Sequence, residues 1–309
     1  MSALVRLQCG PLHLELAPDI GGAIARFYST QGGQTTHWFR PASEQALTNR
    51  DVTGMACFPM LPFRGRIRDG RFTTDHKTIQ LPLLPGHSHH LHGEGWLRPW
   101  QVVRHSQNEV TLQLEAGTER WPWPFYAEQH LRLNESGLHH TLSVTHAGRR
   151  RRPYGIGLHP YFGRTPGCRI RTGVQGMWKA DGDVLPTEPL QGKLQDKLAL
   201  GLDPNTQMLD NTCFGWAHAT MVDWGSHTLA IYSGAPADLF AIYTPPGVDY
   251  FCLEPCTQVP DFPNLHGFEQ ALTGGHWLEP GERLELGCWF NVIQRQPART
   301  PGLYAFSYP

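Results

Sequence analysis

Period-two alternation of apolar and polar residues constrains this chain more than any other feature. LHLEL (Leu12 to Leu16), EVTLQLEA (Glu109 to Ala116) and RLELGCWF (Arg283 to Phe290) place apolar residues at every second position, which sends them to one face of an extended strand. HLRLNESGLHHTLSVTH (His130 to His146) reads as a hairpin around Asn134-Glu135-Ser136-Gly137, a cluster of turn-forming residues between two alternating runs. Helical stripes are confined to two short pieces, Glu44 to Arg50 and Lys193 to Leu200. The 33 glycines and 26 prolines are spread along the chain instead of gathering into a linker. The expectation is an all-β protein, a large antiparallel β-sandwich. One domain is expected over residues 1–292, with 293–309 an arm or tail.

Composition narrows the partners. With 40% hydrophobic, 11% aromatic and only 17% charged residues the chain can build a large core. A net charge of −1 provides no global field to recruit nucleic acid or an anionic membrane. No apolar stretch approaches the ~20 residues that span a bilayer, and MSALVRLQCG carries no secretory signal pattern. Seven scattered cysteines without a C-x-x-C pair read as reduced thiols. A cytoplasmic protein with a small neutral partner is expected, acting on neither nucleic acid nor membrane.

Several stretches bear chemistry. HSHHLHGEGW (His87 to Trp96) crowds four histidines and a glutamate, and its His87, His89 and Glu94 resemble half of a cupin metal motif without the flanking glycines. A solvated loop is the expectation for His87, His89 and His90. His92 stands apart because Gly-Glu-Gly follows it, allowing backbone to pass close to a ligand. GRRRRP (Gly148 to Pro153) reads as a solvated turn. FPMLPFRGRIRDGRF (Phe58 to Phe72) carries Arg66 and Arg68, which share a face in a regular strand. YGIGLHPYF contains His159, and FCLEPCT ends an apolar run on Glu254, a carboxylate that is either paired or chemically active. His92, His159, Asp210, Glu254 and Arg66 all fall at expected strand ends.

In their order along the chain, ACFPMLPFRGRIRDGRF, HHLHGEGWLRPW, WPWPFYAEQ, GIGLHPYF, LDNTCFGW and FCLEPCTQVPDFPN resemble the aldose 1-epimerase (galactose mutarotase) family, especially its bacterial mutarotase-related branch. The resemblance runs from about Ile20 to Phe290. It implies a β-supersandwich, with His159 as general acid, Glu254 as general base, and Arg66, His92 and Asp210 binding the sugar or placing the acid. Gly65 stands where the family commonly has Asn, which removes an amide contact and implies broad sugar selectivity.

The implied activity interconverts the α and β anomers of a free aldohexose. One group removes the C1 hydroxyl proton and another protonates the ring oxygen, so neither metal nor other cofactor is expected. Ordinary pKa values of about 6.5 for His and 4.3 for Glu predict a bell-shaped pH profile, with Asp210 favouring the imidazolium and burial opposing it. Trp96, Trp100 and Tyr161 are candidates to pack on the sugar's C–H face or in the core. A non-catalytic sugar-binding protein on the same fold is the alternative. The sequence leaves the preferred aldose, acceptance of sugar phosphates and oligomeric state open.

Overall fold

The structure, a computed structural model, describes residues 4–117 and 119–294. Each alternating run forms its strand: Leu12–Ala17, Glu109–Ala116 and Arg283–Gln294. Phe125–Asn134 and Gly137–His146 form the expected hairpin, whose turn is closed by Asn134 Oδ1 accepting from the backbone N–H groups of Ser136 and Gly137. The two helical pieces are Glu44–Asn49, capped by Ser43, and Lys193–Leu200. Strand Arg283–Gln294 runs two residues into the expected 293–309 arm, and the rest of that arm lies outside the described residues.

Two large antiparallel sheets carry the fold. One runs in the order Val5–Cys9, Leu12–Ala17, Ala23–Gln31, Cys57–Met60, Gly157–Gly163, Tyr250–Cys256, Leu239–Tyr243, Asp210–Phe214, Gly176–Ala180, Pro186–Leu190, with Gln34–His37 beside Ala23–Gln31. The other runs Gln101–His105, Glu109–Ala116, Phe125–Asn134, Gly137–His146, Arg283–Gln294, His227–Ser233, Ala219–Asp223, Arg169–Thr172. Phe39 joins them, its ring 5.4 Å from Phe162 of the first sheet and 5.0 Å from Phe290 of the second, both edge-on. This is the β-sandwich that alternation requires, because each sheet buries its apolar face against the other.

The first sheet is covered on both faces. Alternate residues of Gly157–Gly163 diverge: Leu158 and Phe162 enter the large core, while Tyr161 joins a second apolar cluster with Phe58, Met60, Trp96 and Cys252. His159 shares that second face by the same period. The segment between residues 40 and 100, including the helix Glu44–Asn49, supplies Ala42, Ala46, Met55 and Trp96 to that cover. Six of the seven cysteines are buried, Cys9 is half-buried, and all are free. Among the described residues, no helix is long and apolar enough to cross a membrane.

Candidate active site

Cross-strand register assembles the site on the second face of the first sheet. Gly157 pairs with Cys256 and Tyr161 with Cys252, so His159 falls opposite Glu254. On its other side His159 pairs with Phe58. Glu254 pairs with Ala241, and Ala241 with Thr212. The neighbouring row runs Tyr161, Cys252, Tyr243, Asp210. Five residues remote in sequence thus meet: Arg66, His92, His159, Asp210 and Glu254 all line one cavity of about 230 Å³. Phe58, Arg64, Trp178, Thr212 and Tyr243 complete much of its wall.

Glu254 and His159 are in direct contact, Oε1 lying 3.3 Å from Nε2, and both are buried. Glu254 Oε2 accepts from Arg64 Nε at 3.1 Å and Nη2 at 3.0 Å, and Arg64 Nη1 donates to Thr212 Oγ1 at 2.7 Å. The His159 ring packs against both Phe58 (centroids 4.5 Å apart) and Tyr161 (4.7 Å), and the Arg40 guanidinium lies over the rings of Tyr161 and Tyr250. Burial lowers the His159 pKa. The Glu254 charge opposes that shift, while Arg64 and Arg40 reinforce it. Burial therefore prevails over the carboxylate that favours the imidazolium, and the resting imidazole is neutral at pH 7.

His92 approaches the same space from a strained position, with φ of 52°, in the left-handed region that non-glycine residues rarely occupy. Its N–H donates to the Gly65 carbonyl at 2.8 Å, and its Nδ1 accepts from the Gly65 N–H at 3.0 Å. That reciprocal pair puts the proton of neutral His92 on Nε2. Burial, with repulsion from His159, keeps its pKa well below the ordinary value. Asp210 is pushed up to about 6 by burial and by the Glu254 charge.

Several expectations are corrected. Gly65 is not an emptied contact: φ is +75°, and a Cβ there would meet Pro260 Cγ at 2.8 Å. Gly93 admits the backbone of Leu61 and not a ligand, since a Cβ would lie 2.4 Å from the Leu61 carbonyl oxygen. Of the three loop histidines only His87 is exposed. His89 is buried with Nδ1 accepting from the Asp69 N–H, and fully buried His90 faces the Pro82 carbonyl with its pKa lowered to about 4 by burial. Glu94 is buried near Arg98 and the Trp121 N–H, so the cupin-like spacing brings no ligand set together. Among the described residues, the group close enough to hold an ion is His159, Cys252 and Glu254. Arg149, Arg150 and Arg151 are exposed as expected, but Arg152 is buried, pairing with Asp75 at 2.8 Å and lying over Trp123. Arg68 turns away to Asp261 and Asp181 because Asp69, at φ 53°, breaks the strand after Ile67. Trp100 fills the core with Nε1 donating to the Gly95 carbonyl.

Comparison with known proteins bears on the family and the fold. A model of the family described as aldose 1-epimerase matches residues 16–291. The chain belongs to the aldose 1-epimerase family. Its relatives within reach of sequence comparison include the uncharacterised protein YphB of Escherichia coli K12, 31% identical over 271 residues, covering 82% of this chain and 88% of that one. A crystal structure of a "putative aldose 1-epimerase" from Escherichia coli K12 superimposes with a TM-score of 0.83 at 27% identity, covering 95% and 99% of the two chains. A galactose mutarotase-like protein from Clostridium acetobutylicum shares the fold, with a TM-score of 0.82 at 20% identity over 94% and 95%. Sequence motifs alone did not single out Phe58, Arg64, Trp178, Thr212 or Tyr243, which also line the cavity. Arg64 was legible in principle, standing two residues before Arg66 in FRGR.

Proposed function

We propose that the protein is a mutarotase, interconverting the α and β anomers of a free aldose. The observation that carries this reading is the buried contact of Glu254 with His159, facing a cavity also lined by Arg66, His92 and Asp210. At about 230 Å³, the cavity is smaller than the roughly 300–1,000 Å³ typical of sites for drug-sized ligands and suits a single sugar ring. Its walls offer charged groups, imidazoles and the faces of Phe58, Trp178 and Tyr243, which match the hydroxyls and C–H faces of a pyranose.

Ring opening breaks the bond from C1 to the ring oxygen and makes a C1 carbonyl. Glu254 Oε1 takes the C1 hydroxyl proton and passes it across the 3.3 Å contact to the His159 Nε2 lone pair, and the imidazolium so formed gives it to the ring oxygen. This relay starts and ends with neutral His159, as its lowered pKa demands. After rotation about the C1–C2 bond, the reverse transfers close the ring on the other face. Exchange NMR on dissolved aldoses tests the reading: at least one sugar in a panel of hexoses and pentoses exchanges anomers faster with enzyme than in buffer. If sugars bind but none exchanges faster, the chain is a binding protein instead.

A further inference from the structure

Arg64 makes no appearance in the acid–base relay, yet it is the side chain most tightly engaged with Glu254. We propose that Arg64 is a positioning residue that commits Glu254 to act through Oε1. The inference rests on the mutarotase reading of Glu254. Its two nitrogens, Nε and Nη2, converge on one oxygen, Oε2, at 3.1 and 3.0 Å, instead of forking across both. The remaining nitrogen, Nη1, is occupied by Thr212 Oγ1 at 2.7 Å, and the Arg64 carbonyl accepts from Gln258 Nε2 at 2.7 Å. Arg64 is 6% exposed and held at both ends. With Oε2 occupied, Oε1 is the oxygen left for the sugar, and it is the one 3.3 Å from His159 Nε2. A carboxylate able to rotate would present either oxygen at variable distance from the imidazole. The guanidinium therefore serves as a clamp of fixed geometry, a role that a compact ammonium cannot reproduce.

The test separates geometry from charge. Arg64→Lys keeps the buried positive charge, which avoids the strong destabilisation that an uncompensated Glu254 would cause, but one ammonium cannot hold Oε2 at two points and bind Thr212 as well. Its kcat is expected to fall about 100-fold, the scale of an ångström-sized misplacement, with KM changed by less than about threefold. Thr212→Val leaves the ion pair and removes one anchor, and a kcat loss of about 5- to 10-fold is expected, the scale of one hydrogen bond. Both variants are compared with wild type for kcat, KM and thermal midpoint. Wild-type kcat in both, even with a lowered midpoint, overturns the clamp and leaves the mutarotase reading standing. A rise in KM that accounts for the whole loss also overturns it, because Arg64 would then be a sugar contact. A wild-type protein without mutarotation overturns the reading and the clamp together.

Discussion

At His159, removal from water and the guanidinium charges of Arg64 and Arg40 disfavour the imidazolium, the Glu254 carboxylate favours it, and the balance lowers the pKa. The bell expected from ordinary pKa values is revised accordingly. With its pKa below the ordinary value His159 is largely uncharged from pH 7 to 9, so kcat/KM is expected to stay flat across that range. An alkaline loss centred between pH 6 and 7 would instead show that the imidazolium is the working form. Asp210, its pKa raised to about 6, is expected to give the acid limb as its carboxylate takes up a proton. Its raised pKa also carries a stability cost with a definite sign. Between the unfolded value near 3.8 and the folded value of about 6, the native state binds more protons than the unfolded chain, so stability falls as pH rises through that window. Asp210→Asn is thus expected to stabilise the fold by about 2–3 kcal/mol at pH 8 and by little at pH 3.5, while weakening sugar binding. Urea unfolding at the two pH values checks this, and an Asn variant less stable at pH 8 contradicts it.

Strands and turns set how accurately those side chains meet. Gly65 combines a left-handed φ with contact against Pro260, and its N–H holds His92 Nδ1. Gly65→Asn is expected to lower stability by about 1–3 kcal/mol and to weaken sugar binding through His92, instead of sharpening selectivity. Calorimetry and a sugar titration of the variant decide: unchanged stability with a new preference for one epimer would restore the missing-amide account. Strands covered on one face were legible as alternation, as in Glu109–Ala116, where polar residues mark the solvent side. Gly157–Gly163 and Tyr250–Cys256 were not, because they are buried on both faces and read as apolar runs interrupted by His159 and Glu254. Their pairing, which places His159 opposite Glu254, is a tertiary register that neither segment encodes alone. Arg64 escaped notice for a similar reason. A guanidinium beside a glycine looks solvated until Glu254, 190 residues away, is seen to meet it.

For the whole molecule, two apolar sheet faces packed against each other form a rigid support, and the extra cover over the first sheet leaves a cavity above its central strands. A site built on paired strands keeps its geometry better than one built on loops, which suits proton transfers that depend on distances of about 3 Å. The family motifs made this much legible in the sequence, since they mark the strands that converge. The fold itself does not decide between catalysis and binding. The contact between Glu254 and His159 is the feature on which the proposed catalysis rests, and Glu254→Gln probes it with little change of shape. The most direct measurement is polarimetry of freshly dissolved anomer with wild type and Glu254→Gln, beside a sugar-binding titration of both. The account predicts that the variant still binds sugar but loses about 10²–10⁴-fold in kcat, because the amide cannot accept the C1 hydroxyl proton. Mutarotation by the variant at the wild-type rate would contradict it.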